Sequence, residues 1–396
     1  MRVLVAHVRY RERGGEDQVF DDEVALLRSG GLEVSTLDVP AVNLQHLGSA
    51  AFAQIAMSGG NHSYGRVLLR TAVAKHRPDV VHFHNIYPLL GVGAMREARD
   101  AGCGVVRTYH NYRLSCIAGT HFHSGAICER CSPGRRAPGV LRGCYRGSRL
   151  QSLAMAAACE GEWHSLTQGG PPDVALCQTN FAREKLVGYR MPAGRIRVKP
   201  NSVEASLGNS SEERSGAVFL GRLSPEKGVI QLVDAWGGDA PPLTVLGGGV
   251  LLPALAARRS SNLRVVGAVP HSEARLEISR ARVVVVPSLA YESDSLVIAE
   301  ALAGGTPVVC FDHGALSRIG EDISTECLVP TGDFRALVRT AARIVGLPTS
   351  EWSTLSWRAR VAFERNHTKA RSLAMLLKIY GEVIASRPER LGGCSS

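Results

Sequence analysis

The sequence predicts two Rossmann-like α/β domains in series. Three observations lead there. Short apolar strands alternate with helical segments of ~10–15 residues. The alternation stops once, at a polar stretch, and then restarts. A length of 396 residues suits two domains. The composition, 45% hydrophobic and 21% charged, is that of a globular enzyme, and no run of ~18 uncharged apolar residues is present to span a bilayer.

Arg2–Val8 reads as an apolar strand, and Gly14-Gly15 turns the chain into an amphipathic helix from Glu16 to Arg28. Glu33–Val39, Asp79–His84, Cys103–Tyr109, Asp173–Gln178 and Arg195–Lys199 follow as strands, with a helix from Leu89 to Ala101 before the third of these. Leu207–Gly216 is polar and aperiodic, and reads as a linker. Beyond it come strands Ala217–Leu220, Leu243–Leu246, Leu263–Val266, Val283–Val286 and Pro307–Phe311, and helices Pro225–Trp236 and Leu296–Ala303. The expected division is a first domain over 1–206, a linker over 207–216, a second domain over 217–370, and a final amphipathic helix within 371–390 that is free to return to the first domain. In such sheets ligands lie at the carboxyl ends of the strands, and two facing sheets would hold one between them.

Charge is uneven. Residues 1–200 hold 25 Lys and Arg against 16 Asp and Glu, whereas residues 201–396 hold 21 against 20. A basic first half is either a solvated face or the footprint of an anionic partner, a phosphorylated or lipid-linked acceptor or an acidic membrane surface. Nucleic acid is not expected, because no helix-turn-helix, finger or aromatic-interleaved basic strand is present. The first residues lack a signal-peptide cleavage pattern, so the expected location is cytoplasmic, at most peripheral to the inner membrane face.

Two motifs in the second half carry chemistry. Gly221-Arg222-Leu223-Ser224-Pro225-Glu226-Lys227-Gly228 follows a strand and opens a helix. Two basic side chains beside a positive helix end suit a diphosphate. Glu292-Ser293-Asp294-Ser295-Leu296 leads into the helix bearing Glu300. Ser293 or Asp294 can cap that helix, and the backbone N–H groups of Ser293, Asp294, Ser295 and Leu296 would form an anion nest. Glu292 and Glu300 lie ~80° apart around the axis, and both can border one site for sugar hydroxyls.

Gly-Arg-x-x-x-x-Lys-Gly followed by Glu-x7-Glu resembles the retaining glycosyltransferases of family 4, with their two-domain GT-B fold. The likeness extends over nearly the whole chain, including Gly14-Gly15 after the first strand and Gly247-Gly248-Gly249 after a later one. It implies transfer of a hexose-type sugar from a UDP- or GDP-linked donor, with retention and without a catalytic divalent metal. It further implies that Arg222 and Lys227 hold the leaving diphosphate, that Glu292 meets the donor sugar and Glu300 the ribose, that His110 faces the sugar from the first domain, and that Gly15 and Gly247 let backbone approach the nucleotide. Where many members have Glu-Gly-Phe-Gly, this chain has Glu292-Ser293-Asp294-Ser295. The acceptor would be a small molecule or a glycan.

Cys116, Cys128, Cys131 and Cys144 stand in a loop of residues 113–149 that is too long for a plain connection. The Cys-x2-Cys knuckle with two outlying thiols predicts a structural zinc, with His121 or His123 as substitutes, an iron–sulfur cluster as a lesser choice, and ordinary buried thiols as the plain alternative. The likeness extends to a Cys-containing subgroup from bacterial polysaccharide or natural-product assembly, in which this loop would be an acceptor platform. A non-hydrolysing nucleotide-sugar epimerase and a non-catalytic zinc-bearing scaffold on the same fold are the rival readings.

Overall fold

The computed structural model describes residues 1–10, 13–40, 57–205 and 213–387. These described residues divide into two units: those within 1–119, 129–199 and 372–387 form one, and those within 120–128 and 200–371 the other.

In chain order the first half gives β1 (Arg2–Val8), α1 (Gly15–Ser29), β2 (Glu33–Val39), α2 (Ser63–His76), β3 (Val80–Phe83), α3 (Gly91–Asp100) and β4 (Gly104–Thr108). A small antiparallel hairpin follows, β5 (Phe122–His123) and β6 (Ala126–Ile127). Then come α4 (Ala137–Leu141), α5 (Arg149–Thr167), β7 (Val174–Cys177), α6 (Asn180–Gly188) and β8 (Ile196–Val198). The first unit's sheet runs β2-β1-β3-β4-β7-β8, with every pair parallel. A parallel sheet must be covered on both faces, and β1 shows how. Leu4, Ala6 and Val8 enter one apolar cluster while Val3 and Val5 enter another, together with Leu376, Ile379 and Tyr380 from the end of the chain.

The second unit contains β9 (Ala217–Leu220), α7 (Val229–Ala235), β10 (Leu243–Leu246), α8 (Leu252–Ala256), β11 (Leu263–Gly267), α9 (His271–Arg280), β12 (Val283–Val286), α10 (Leu296–Ala303), β13 (Val308–Phe311), α11 (Arg318–Asp322), β14 (Leu328–Val329), α12 (Phe334–Val345) and α13 (Thr349–Asn366). The last helix, α14 (Lys369–Ala385), belongs to the first unit from Ser372 on. The sheet order is β11-β10-β9-β12-β13-β14, again all parallel.

Three expectations need correction. The helix expected over Pro225–Trp236 is interrupted: Pro225–Lys227 is one 3-10 turn, Gly228 takes φ 67°, and α7 begins at Val229. A Cβ at Gly228 would sit 2.2 Å from the Pro287 carbonyl oxygen, so only glycine lets the two loops meet. Neither Ser293 nor Asp294 caps α10. Its N-cap is Ser295, without a side-chain cap bond, and Asp294 instead accepts the Asn201 N–H at 2.7 Å. The long cysteine loop does not stay in the first unit, because Thr120–Cys128 groups with the second. Of the expected linker, residues 207–212 lie outside the described residues, as do residues 388–390 of the expected final helix.

Candidate active site

Each sheet has one switch point, where neighbouring strands lead their connections in opposite directions and a crevice opens at the carboxyl ends. In the second unit it lies between β9 and β12. The loops leaving these strands are tied together, with the Leu289 N–H donating to the Glu226 carbonyl at 2.8 Å. Across them the Lys227 ammonium donates to Glu292 Oε1 at 2.6 Å, and the Ser288 hydroxyl donates to the same oxygen. Burial pushes the Glu292 carboxyl up, but the Lys227 charge and these hydrogen bonds outweigh it and hold the group below its ordinary range. Arg222, on the same loop as Lys227, is 61% exposed and donates to Glu226 at 2.9 Å. An exposed pair of this kind holds its arginine weakly.

Glycines line this end of the sheet. A Cβ on Gly247, at φ 137°, would lie 1.8 Å from the Gly221 carbonyl oxygen, and one on Gly249 would lie 2.5 Å from that of Leu223. Backbone is therefore packed on backbone, leaving main-chain groups where side chains would otherwise stand. Glu300 is buried and bonded to His271 Nε2. Ser293, Asp294, Ser295 and Leu296 are half-buried, in the stretch entering α10. The structure thus joins Lys227 to Glu292 and gives Glu300 a separate basic partner.

Two histidines here are absent from the sequence reading, His271 and His313. The His313 Nε2–H donates to the Ser288 carbonyl at 2.8 Å, its Nδ1 is buried without a partner, and burial lowers its pKa. Tyr291, beside Glu292, has its ring 5.9 Å from His313 and 5.7 Å from His121 of the β5–β6 segment. Phe122 of that segment packs on the second unit's core.

In the first unit the switch point lies between β1 and β3. Gly15 is the first residue of α1, whose N-cap is Gly14. His7, His82, His84 and His110 are all buried. The protons of three of them can be assigned from the partners. The Gln178 amide donates to His110 Nδ1 at 3.1 Å, so the other His110 nitrogen carries the proton and donates to His84 Nδ1 at 2.9 Å; His84 Nε2 then donates to Glu23 Oε1 at 3.0 Å. Lys199 holds the second Glu23 oxygen at 3.0 Å. The Asn85 N–H donates to His7 Nδ1, leaving His7 Nε2 to donate to Asp17 at 2.8 Å. His82 lies between Tyr380 and Thr108, at 2.7 Å from each. Burial lowers His84 to about 3 and His110 well below the usual imidazole range, whereas Glu23, despite its burial, is held far down by Lys199, His82 and His84. His110, expected to face a donor sugar, has both ring nitrogens engaged within its own unit. A sugar hydroxyl could reach Nδ1 only by displacing the Gln178 amide, whose oxygen is itself buried without a partner.

Metal ligation does not fit. Among the described residues, Glu23, His82 and His84 are the one group of three His, Cys, Asp or Glu side chains with ligand atoms within 4.8 Å of one another. Both imidazoles lie 3.0 Å from the same carboxylate oxygen while Lys199 occupies the other, which is a closed hydrogen-bonded set with a cation already in place. The zinc expected at Cys116, Cys128, Cys131 and Cys144 finds no such gathering of thiols. Cys116 is buried in a tight turn, its N–H bonded to the Tyr112 carbonyl, and Cys131 Sγ lies 3.0 Å from where a Gly139 Cβ would stand.

Two family models match the chain: Glycosyltransferase Family 4 over residues 44–207 and Glycosyl transferases group 1 over residues 214–346. Among curated relatives, a phosphatidyl-myo-inositol mannosyltransferase of Mycobacterium leprae is 33% identical over 153 residues, which is 35% of this chain and 41% of that protein. The putative teichuronic acid biosynthesis glycosyltransferase TuaC of Bacillus subtilis is 35% identical over 244 residues, 61% of this chain and 55% of that one. The chain thus spans about half the length of these relatives. Sucrose-phosphate synthase from Thermosynechococcus elongatus superposes with a TM-score of 0.67 at 17% identity, over 97% of this chain and 99% of that one. Anabaena HepE in complex with UDP does so with 0.65 at 14%, over 96% and 100%. Among the described residues, no helix is long and apolar enough to cross a membrane.

Proposed function

Since the chain belongs to the family 4-type glycosyltransferases and carries the GT-B fold, we propose that it moves a hexose-type sugar from a UDP- or GDP-linked donor to a hydroxyl of a small-molecule, glycan or lipid-linked acceptor, with retention of configuration. The observation that carries this reading is the Lys227–Glu292 pair at the second unit's switch point, set among glycines that bring main chain to the site surface. A diphosphate there would draw the Lys227 ammonium and the loosely held Arg222 to its oxygens. As the glycosidic bond breaks, negative charge grows on the diphosphate, and two cations drawn to its oxygens lower the barrier most at that moment. A departing phosphate oxygen would take the acceptor's proton, and the new bond would form on the face the nucleotide leaves.

Glu292, kept ionised by Lys227, would orient the donor sugar. Glu300 would meet the ribose, and the N–H groups of Ser293, Asp294, Ser295 and Leu296 would receive anionic or hydroxyl oxygens. Gly15 and Gly247 would allow backbone to approach the nucleotide, and His110 would read the sugar once Gln178 yields. Thermal-shift measurements with UDP, GDP and TDP test the donor half. One of the three at ~100 times its Kd should add about 2.7 kcal/mol of stability, and failure of all three overturns the reading. Proton NMR of the product made with the matching sugar nucleotide then reads the anomeric configuration, and inversion would overturn retention.

A further inference from the structure

Between Glu129 and Glu160 the chain has six arginines and no acidic residue. In the structure this stretch folds as α4, a turn, and the start of α5. Three leucines face outward from it: Leu141 at the end of α4 is 65% exposed, and Leu150 and Leu153 on the first turns of α5 are 72% and 55% exposed. Leu150 and Leu153 are three residues apart and share one helix face. Arg142, Arg146 and Arg149 are exposed in the same short span.

The presentation is rigid. The Ser148 hydroxyl caps α5 by accepting from the Gln151 N–H, the Tyr145 N–H donates to the Ser152 hydroxyl at 2.9 Å, and the Cys144 N–H donates to the Gly139 carbonyl at 2.9 Å. A single exposed leucine needs no explanation, but three held outward among arginines do.

We infer that the α4–α5 corner is a docking surface for a bilayer containing anionic lipid. The leucines would enter the headgroup–acyl boundary while the arginines meet lipid phosphates, the division of labour expected of an interfacial anchor. The charge pattern disfavours two other occupants. A second copy related by a two-fold axis would set arginine against arginine, and a nucleic-acid backbone offers nothing to the leucines.

The test is flotation of the whole protein with vesicles of 30% phosphatidylglycerol in phosphatidylcholine, beside vesicles of phosphatidylcholine alone. Binding should require the anionic lipid and weaken with salt. Leu150→Ser with Leu153→Ser should cut partitioning by about tenfold, and Arg142→Glu with Arg146→Glu by at least about fivefold per charge removed. The melting temperature and the nucleotide-induced shift should stay at wild-type values, so loss of binding cannot be mistaken for unfolding, and failure of the transferase reading would leave this assay untouched. Equal binding to both vesicle types, variants that float like wild type, or a dimer lost through the leucine substitutions in place of vesicle binding would each overturn the inference.

Discussion

The two units share a parallel six-stranded sheet and a switch point at its carboxyl end, but fill that place with opposite chemistry. In the second unit it holds an ion pair, Lys227 with Glu292, an exposed Arg222 close by in sequence, and glycines in place of side chains. In the first it holds four buried imidazoles, two of which, His110 and His84, form a directed hydrogen-bond chain that ends on Glu23 and Lys199. One arrangement leaves cations available to an incoming anion; the other consumes nearly every donor and acceptor internally. A shared fold therefore fixes where a ligand can bind and says little about what the place is ready to receive.

Breaking the closed side should have the largest effect. Glu23→Ala leaves Lys199 buried without its carboxylate and should cost about 3–5 kcal/mol, read as a lowered denaturation midpoint. Nucleotide binding by the surviving folded protein should be retained, and a loss of binding at unchanged stability would contradict the division between the units. On the open side, Lys227→Ala should lower kcat by about 10²–10³ with little change in melting temperature; near-wild-type turnover at saturating donor and acceptor would remove the diphosphate assignment.

Acid should sharpen the contrast. His84 titrates near 3 when folded and near ~6.5 when unfolded, so below that value the unfolded chain binds more protons. Stability is then lost as pH falls from ~6.5 toward 3, by up to ~1.4 kcal/mol per pH unit for one histidine. His110 acts in the same direction, and Glu23, held low, adds its own loss below ~4.5. A melting temperature unchanged between pH 7 and pH 5 would mean that the cluster is open to water. The smallest effect is expected from metal removal. Among the described residues no three of the cysteine-loop thiols come within 4.8 Å of one another, so purified protein should carry far less than one zinc per chain, and a stoichiometric metal by elemental analysis would revise the cysteine loop.

Much of the fold was legible because apolar runs bounded by turns have few readings. Arg2–Val8, Glu33–Val39, Ala217–Leu220, Val283–Val286 and the helix Leu296–Ala303 are found where the pattern puts them. Gly228 was legible as a glycine but not as the point where Pro287 crosses, so the break before α7 was hidden. His82 sits in a strand, and His84 directly after it, at positions that any core residue would suit. Their meaning depends on Glu23, Thr108, His110 and Tyr380, which only the tertiary fold brings near. Lys227 and Glu292 could be read because their motifs have a spacing of their own, whereas His313 stands in none.

Tyr380 carries one more implication. Its hydroxyl bonds His82, and Leu376, Ile379 and Val383 of the same helix fill the core against β1. The first unit is thus completed by residues made after the whole of the second. During synthesis its sheet would have to wait, partly uncovered, for more than 170 residues to leave the ribosome. An N-terminal fragment ending at Lys199 should therefore be aggregation-prone, and a separately supplied α14 peptide should rescue it.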